Sequence, residues 1–292
     1  MPTTRLPPAE WFPAGWPGLT ARHVALADGT SLRVVEGGPA DGKPLVMLHG
    51  WAVSSYLWRH TLATLGAAGY RTIAPDLPGH GLSDAPTARG EYTLDAFVRR
   101  SELLLDTLGL GAPPILAQSM GGRIATALAQ RGRAERLGLF GPVGFGSVSP
   151  ATAYAPFIPA ALGDVATALV TRRMVEVVQR RVHGKLSWFT DRDVDEYWAP
   201  TQFSAVVRAQ VQMLREFTWT PLTPGDLAAV TQPTLVMFGT TDRTVKPHGT
   251  EEIVRQLPNG RLEWVEGGGH VLMEEVPARV NAALIEFLGS TG

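Results

Sequence analysis

The feature that most constrains the fold is an alternation of short apolar runs with segments of helical periodicity. Runs such as "PLVMLHG" from Pro44, "PILAQS" from Pro114 and "PTLVMFG" from Pro233 are apolar at consecutive positions, which is typical of strands covered on both faces. Between them lie stretches with apolar residues at helical spacing, including 92–109 and the segment after Ser119. This order predicts right-handed crossovers and an α/β fold with a doubly wound, mostly parallel sheet.

The alternation is interrupted once, between about positions 146 and 221. No strand-like run occurs there, and the stretch "FSAVVRAQVQMLREF" from Phe203 repeats apolar residues at helical spacing. The flanking segments "GPVGFGSVSP" and "TWTPLTPGD" are rich in Gly, Pro and Thr, as expected at the borders of an insertion. We therefore predict a core formed by residues 1–145 and 222–292, with residues 146–221 inserted as a helical cap.

Composition argues against several classes of function. The formal net charge of the 292 residues is −1, which disfavours electrostatic binding to nucleic acid or anionic membranes. The chain has no cysteine, so disulfides, thiolate metal sites and a cysteine nucleophile are excluded. Because no His, Asp or Glu cluster has metal-ligand spacing and no Gly-rich loop suits a phosphate, we expect no metal and no cofactor.

Location and assembly are less constrained by the sequence. The N-terminal stretch lacks the apolar core of a signal peptide, and no apolar run is long enough to span a bilayer. We therefore expect a cytoplasmic protein with no membrane partner. Both a monomer and a homodimer are compatible with the sequence.

The stretch "AQSMGG" at 117–122 places Ser119 between an apolar run and a helical segment. A serine on such a strand-to-helix turn stands above the sheet, and the residues two before and two after it must be small. Ala117 and Gly121 meet this requirement, although Ala117 replaces the first glycine of the G-x-S-x-G pattern. A nucleophile here would use the N–H of Met120 as an oxyanion donor. The alternative is an ordinary helix-capping serine.

Three further features at the ends of predicted strands favour catalysis by Ser119. "MLHGWA" offers the backbone N–H of Trp51 as a second oxyanion donor. "MFGTTDRTV" places Asp242 just beyond a strand, where a carboxylate can orient a histidine, and "EGGGHVLMEEVP" carries His270 on a glycine-rich loop. Each has a structural alternative, a tight turn or a turn cap. Together, in this order, they predict Ser119 as nucleophile, Asp242 as the orienting acid and His270 as the base.

In these motifs the chain resembles the α/β-hydrolase family, in its branch of serine hydrolases with a helical cap. "APDLPGHGLSD" at 74–84 is similar to the family's D-x-x-G-x-G-x-S loop, and "GHVLMEEVP" to its G-H-x-x-x-x-E-x-P signature, with Glu275 and Pro277 at the matching places. The resemblance covers roughly residues 25–145 and 222–290, and the cap matches only in being helical. It implies the α/β-hydrolase fold and a hydrolytic enzyme.

The substrate expected from this resemblance is a small-molecule carboxylic ester. The mostly apolar cap, which shows no obvious arginine pair for a dicarboxylate, favours a monocarboxylic ester with a small to medium apolar acyl or alcohol part. C–C bond hydrolases, enol-lactonases, thioesterases and perhydrolases of the same family share the triad pattern and stay open as alternatives. A serine at position 119 argues against haloalkane dehalogenases and epoxide hydrolases, whose similar folds use a carboxylate nucleophile. A ligand receptor that keeps the fold without turnover is the alternative from another class.

Other polar and aromatic residues are expected to serve structure. Asp76 and His80 lie on the loop that shapes the rear of the site in the family, and Glu275 is expected to be a carboxylate at a helix N-terminus. Two histidines and two arginine pairs are expected to face solvent, and the arginine pairs are expected to form the exposed face of a cap helix rather than an anion site: His183, His248, Arg172–Arg173 and Arg180–Arg181. About a third of the large rings of the cap are expected to line an apolar pocket. These rings are Phe157, Trp188, Phe189, Tyr197, Trp198, Phe203 and Phe217.

Overall fold

The computed structural model describes residues 5–148, 170–186 and 189–289. Its strands are β1 (Leu19–Ala25), β2 (Ser31–Gly37), β3 (Lys43–Leu48), β4 (Tyr70–Pro75), β5 (Ile115–Gln118), β6 (Leu137–Phe140), β7 (Ser147–Val148), β8 (Thr234–Gly239), β9 (Val245–Lys246) and β10 (Gly260–Val265). Eight of these strands form one sheet in the order β1-β2-β4-β3-β5-β6-β8-β10, and β7 pairs with β9.

The sheet is mostly parallel, as predicted. The pairs β4–β3, β3–β5, β5–β6, β6–β8 and β8–β10 are parallel, whereas β1–β2 and β2–β4 are antiparallel. Non-consecutive neighbours such as β3 and β5 require crossover connections, which the helices provide. The carboxyl ends of the central parallel strands therefore meet at one edge, where a doubly wound sheet places its functional loops.

Alternate residues of the central strands belong to two apolar layers, one on each face of the sheet. In β3, Val46 and Leu48 pack into one layer, and Leu45 and Met47 pack into the other. This two-sided burial explains why the strand sequences are apolar at consecutive positions.

The helices of the described residues cover both layers. They are α1 (Arg59–Ala67), α2 (Leu94–Thr107), α3 (Met120–Gln130), α4 (Arg172–Val182), α5 (Asp191–Trp198), α6 (Ser204–Glu216), α7 (Pro224–Ala228), α8 (Thr250–Val254), α9 (Leu272–Glu275) and α10 (Pro277–Gly289). Helices α2 and α3 contribute Phe97 and Ile124 to one layer, and α1 and α10 contribute Leu62 and Leu284 to the other. None of these helices is both long enough and apolar enough to cross a membrane.

Helices α4, α5 and α6 lie in sequence between β7 and β8, where the helical insertion is predicted. The predicted absence of strands in this part of the chain is wrong at one point. Residues Ser147–Val148 pair with Val245–Lys246, and a two-residue strand is too short to produce a detectable alternation. The domain boundaries at 145 and 222 stay a prediction. Of the expected pocket rings, Phe157 and Trp188 lie outside the described residues.

Candidate active site

Ser119 occupies a strained turn between β5 and α3. Its φ is 53° and its ψ is −116°, a conformation that costs a non-glycine residue on the order of 1–3 kcal/mol. The surrounding backbone holds it there: the N–H of Ser119 donates to Phe140 O at 3.0 Å, and its carbonyl accepts from the N–H groups of Gly122 and Val143, both at 3.0 Å. The side chain is thereby presented at the carboxyl edge of the sheet.

Two glycines allow the backbone to approach this turn closely. A Cβ at Gly121 would lie 2.5 Å from Leu48 O, so the first turn of α3 packs directly on the end of β3. A Cβ at Gly50 would lie 3.0 Å from Ser119 Cβ, which shows that the loop after β3 passes beside the serine. Ala117 is fully buried in β5, and its single methyl group is accommodated where the G-x-S-x-G pattern has glycine.

The two predicted oxyanion donors flank Ser119. Met120 is the first residue of α3, so its N–H has no partner within the helix. Trp51 follows Gly50 and lines the same cavity as Ser119. Within the described part of the chain, neither backbone N–H donates to a protein acceptor. Both donors are therefore available to a ligand.

His270 and Asp242 form a buried hydrogen-bonded pair. His270 Nδ1 lies 2.7 Å from Asp242 Oδ2, and the exposed fractions of the two side chains are 6% and 0%. Asp242 Oδ1 accepts the N–H groups of Thr244 at 2.8 Å and Val245 at 3.0 Å, which fixes the rotation of the carboxylate. A carboxylate held in this way keeps the proton of a neutral imidazole on Nδ1 and leaves Nε2 as the acceptor.

Ser119 and His270 line one cavity of about 310 Å³, at the small end of the range for small-molecule sites. No hydrogen bond joins Ser119 Oγ to His270 among the contacts of the described residues, and such bonds are often long in unliganded enzymes. The walls are mainly apolar, with Val143, Val178 and Leu214 among them. The predicted triad residues are thus brought together, and the cavity suits an apolar ligand.

Four hydrogen bonds that were not predicted from the sequence hold the loop of His270 and the segment after α4. The N–H of His270 donates to Val182 O at the end of α4 at 2.8 Å, and Gln118 Nε2 donates to His270 O at 3.1 Å. The Glu275 carboxylate accepts the N–H groups of Gly269 at 3.0 Å and Gly184 at 2.8 Å. Two sequence signals are associated with these contacts: Gln118 lies directly before Ser119, and Glu275 occupies the glutamate position of the G-H-x-x-x-x-E-x-P signature.

Glu275 lies in the first turn of the four-residue helix α9, and its carboxylate accepts the N–H of the N-cap residue Val271 at 3.3 Å, as expected of a helix N-terminal carboxylate. It is also the last residue of this short helix, and its side chain turns back to the backbone of the histidine loop. The glycines before His270 allow this loop to pack closely against another backbone segment. A Cβ at Gly269 would lie 2.3 Å from Gly184 N, so the histidine loop and the segment after α4 are in backbone contact.

Asp76 and His80 are buried and fully engaged in contacts within the described chain, in agreement with a structural role. Asp76 pairs with Arg33 at 3.1 Å and accepts the N–H of Ser55 at 2.8 Å. Burial alone would raise the pKa of Asp76, but Arg33, His49 and Ser55 lower it below its usual value. Burial and the neighbouring His49 ring lower the pKa of His80 to about 3, so this ring is neutral at physiological pH.

Some expectations for the cap are wrong. The side chain of His183 is 6% exposed and its Nε2 lies 3.7 Å from Glu274 Oε2, so it is not solvated. Arg172 is buried between Asp191 and Asp195 rather than on an exposed face. Both predictions are wrong because the carboxylates that contact these side chains lie in other helices, Asp191 and Asp195 in α5 and Glu274 in α9. Arg180 and His248 are exposed, as expected.

None of the described rings expected in the pocket lines it. Phe217 instead makes an edge-to-face contact with Phe97, and Trp198 packs under Arg5. Within the described ranges, the large rings that line the cavity are those of Trp51 and Trp219, neither of which was among the expected rings. No group of three or more His, Asp or Glu side chains in the described ranges is placed to hold a metal ion.

Comparison with known proteins assigns the family. The model of the alpha/beta hydrolase family matches residues 45–283. The magnesium-chelatase 30 kDa subunit of Rhodobacter capsulatus is 29% identical, over 95% of this chain and 98% of that protein. A haloalkane dehalogenase of Psychrobacter cryohalolentis is 28% identical, over 91% of both chains.

Solved structures agree in fold. The carboxylesterase CesB from Bacillus subtilis superposes with a TM-score of 0.76 at 23% identity, covering 95% of this chain and 94% of that chain. A serine hydrolase involved in carbazole degradation gives a TM-score of 0.76 at 22% identity, covering 92% of this chain and 98% of that chain. Because the family model spans most of the sequence and the sheet has the matching topology, the chain belongs to the α/β-hydrolase family.

Proposed function

We propose that this α/β hydrolase is a carboxylesterase that uses Ser119, His270 and Asp242 as its catalytic triad. The proposal rests on one arrangement of residues around a cavity. The strained turn of Ser119 and the His270–Asp242 pair meet at one cavity. The free N–H groups of Met120 and Trp51 flank the serine there. This is the arrangement that acyl transfer through a serine requires.

In the first half-reaction, His270 Nε2 takes the proton of the Ser119 hydroxyl as Oγ attacks the ester carbonyl carbon. The negative charge that develops on the carbonyl oxygen is stabilised by the N–H groups of Trp51 and Met120. Asp242 stabilises the imidazolium through Nδ1. When the tetrahedral intermediate collapses, the C–O bond to the alcohol breaks and His270 gives its proton to the departing oxygen.

In the second half-reaction, water replaces the alcohol. His270 Nε2 removes a proton from the water as the water oxygen attacks the acyl carbon, and the same two N–H groups hold the oxyanion. The bond from the acyl carbon to Ser119 Oγ then breaks, and Oγ recovers its proton from His270. The carboxylic acid leaves and the free enzyme is restored without any cofactor.

The apolar walls of the cavity support an ester with a small to medium apolar part. The relative named as a haloalkane dehalogenase does not carry that activity to this chain. Displacement of a halide by that family branch needs a carboxylate nucleophile, and position 119 holds a serine.

The test is a panel of p-nitrophenyl acetate, butyrate and octanoate, an enol-lactone, an acyl thioester and a vinylogous diketone. We expect steady multiple turnover of the butyrate ester. Ser119→Ala should lower kcat by at least about 10⁴-fold, because nucleophile and base act as one unit. A thioester or diketone hydrolysed much faster than every ester would move the assignment to another bond type.

A second candidate is an accessory subunit without turnover, which the relative named as a magnesium-chelatase subunit favours. The same ester panel separates the two functions. A single burst of p-nitrophenol that never recovers, or no release at all, would support the accessory role. Turnover that continues for hundreds of cycles would support the esterase.

A further inference from the structure

Two arginines line the mainly apolar cavity. Arg181 lies in the last turn of α4, and Arg243 directly follows Asp242. The described residues that line the cavity include no Asp or Glu. Because both arginines are also exposed, they stand where the cavity meets solvent. Among the described residues, the mouth of the cavity therefore carries two positive charges and no negative charge, a pair of arginines that the sequence did not suggest.

Neither guanidinium group has a protein partner among the described residues, unlike those of Arg172 and Arg180 on α4. On the same helix, Arg180 pairs with Glu176 at 2.7 Å, and Arg172 pairs with Asp195 at 2.6 Å. Arg181 and Arg243 make no such ion pair in the described part of the chain. Their donors, arranged in a planar fork, are free for an oxyanion from outside.

We propose that the ester substrate carries a carboxylate, which Arg181 and Arg243 bind at the mouth while the apolar body fills the cavity. This inference rests on the proposed esterase function and adds the charge of the substrate. Apolar walls such as Val178 and Leu214 would strengthen the attraction by excluding water on one side. The carboxylate would also fix the direction in which the ester enters.

The test compares two p-nitrophenyl esters of adipic acid, the half-ester with a free carboxylate and its neutral methyl ester. We expect kcat/KM of the anionic ester to exceed that of the neutral ester by about tenfold, and Arg181→Gln or Arg243→Gln to remove most of this preference. Arg180→Gln is the matched control and should retain it. Raising the salt concentration should shrink the preference in the wild type.

Equal kcat/KM for the two esters, or the same loss in Arg180→Gln as in Arg181→Gln, would overturn the proposal. Binding separates this result from a failure of the esterase assignment. Adipate should bind to Ser119→Ala in calorimetry about tenfold more tightly than to the same variant that also carries Arg181→Gln. If adipate binds in this way but neither ester is hydrolysed, the anion site stands and the esterase function does not.

A different observation concerns Gln210 of α6, which connects two loops beside the serine. Gln210 Oε1 accepts the N–H of Ala52 at 3.1 Å, and Gln210 Nε2 donates to Gly79 O at 2.9 Å. The carbonyl of Gln210 accepts from Trp51 Nε1 at 3.1 Å. Helix α6 thus makes three hydrogen bonds at this point, two of them to the loop that carries the Trp51 oxyanion donor.

The loop needs this support because its backbone is strained. Ala52 has a φ of 59°, which costs a residue with a Cβ on the order of 1 kcal/mol or more. Its N–H is also 3.3 Å from His80 Nε2, a weaker contact than that to Gln210. We infer that Gln210 is a positioning residue that keeps the Trp51 N–H aimed at the oxyanion.

The matched control for Gln210 is Gln212 on the same helix, whose Nε2 donates to Ala88 O at 2.7 Å, away from the serine. Gln210→Ala should lower kcat about tenfold with little change in KM, since a misplaced oxyanion donor weakens only the transition state. It should weaken binding of a trifluoromethyl ketone, which forms the oxyanion, and leave binding of the product acid unchanged. Gln212→Ala should change neither quantity.

Equal effects of the two substitutions, or unchanged affinity of Gln210→Ala for the ketone, would reduce Gln210 to a structural contact. This inference also rests on the esterase function. If the wild-type protein does not bind the ketone at all, the esterase assignment itself fails, and that result is separate from a difference between the two glutamines.

Discussion

His270 Nδ1 lies 2.7 Å from Asp242 Oδ2, although 28 positions separate the two residues in the chain. The aspartate follows β8 and the histidine follows β10, and these strands are parallel neighbours in the sheet. Their carboxyl ends therefore deliver both side chains to the same edge. Since the Asp242 carboxylate is also fixed by two backbone N–H groups, it can impose one orientation on the imidazole.

Asp242→Asn should preserve the fold and disable the base. An amide in place of the carboxylate favours the wrong imidazole tautomer and no longer stabilises the imidazolium, so kcat for p-nitrophenyl butyrate should fall by about 10³–10⁴-fold. The melting temperature should change little. Asp95→Asn, at a side chain that is 87% exposed, is the control and should retain full activity. A kcat within tenfold of the wild type for Asp242→Asn would argue against the triad.

Gly141→Ala should disturb the hydrogen-bonded pair of His270 and Asp242. Gly141 has a φ of 48°, and a Cβ there would lie 3.0 Å from both Asp242 Oδ2 and His270 Nδ1. We expect kcat to fall by about tenfold or more, because a displacement of about 1 Å in a catalytic group is costly. Gly132→Ala is the control, because Gly132 also has a positive φ, of 71°, but a Cβ there would have no atom within 4 Å. It should therefore lose about 1 kcal/mol of stability and no activity, and an equal loss of activity in both variants would contradict this expectation.

Glu275→Ala should affect both stability and catalysis. The carboxylate accepts backbone N–H groups from Gly184, Gly269 and Val271, and its removal leaves buried donors without partners. We expect the free energy of unfolding in urea to decrease by about 2 kcal/mol or more, and kcat to fall because the loop of His270 is loosened. Glu286→Ala, at a side chain that is 73% exposed, should change neither quantity by more than experimental error. Wild-type stability of Glu275→Ala would contradict the role assigned to this carboxylate.

Stability should depend on the neutral state of His80. Its pKa is about 3 in the folded protein and 6.5 as the reference for the unfolded chain. Between pH 6.5 and pH 3, His80 therefore binds a proton in the unfolded chain but stays neutral in the folded protein. The stabilisation is fully present above pH 6.5 and is lost progressively as the pH falls towards 3.

Between pH 8 and pH 5, the proton uptake of His80 should lower the free energy of unfolding by about 2 kcal/mol. Urea unfolding at the two pH values measures this difference. His80→Gln should reduce the pH dependence by about the same amount, whereas His248→Gln, at an exposed position, should not. The same pH dependence in the wild type and in His80→Gln would show that another group is responsible.

The sheet and the placement of the proposed triad residues at one of its edges were predictable because their signals are local. Apolar runs mark parallel strands, and chemistry-bearing residues directly after such strands must share one edge of the sheet. Ser119, Asp242 and His270 were found in this way. Ala117 is compatible with the turn because only its size matters there.

Contacts that cross between distant segments could not be predicted in the same way. His183 lies against Glu274, and Gly184 contacts Gly269, because the end of α4 packs on the histidine loop. No periodicity in either segment encodes that packing. The same holds for Arg181, which has the sequence of an exposed helix face and becomes a cavity residue only through the position of α4.

The most direct test of the central claim is covalent labelling by a fluorophosphonate. We expect one adduct per chain, located by mass spectrometry on the peptide that carries Ser119, with loss of ester turnover in proportion to labelling. His270→Gln should slow the labelling strongly, because the serine is then no longer activated by its base. An adduct on another residue, or ester turnover by Ser119→Ala at the wild-type rate, would contradict the assignment of Ser119 as the nucleophile.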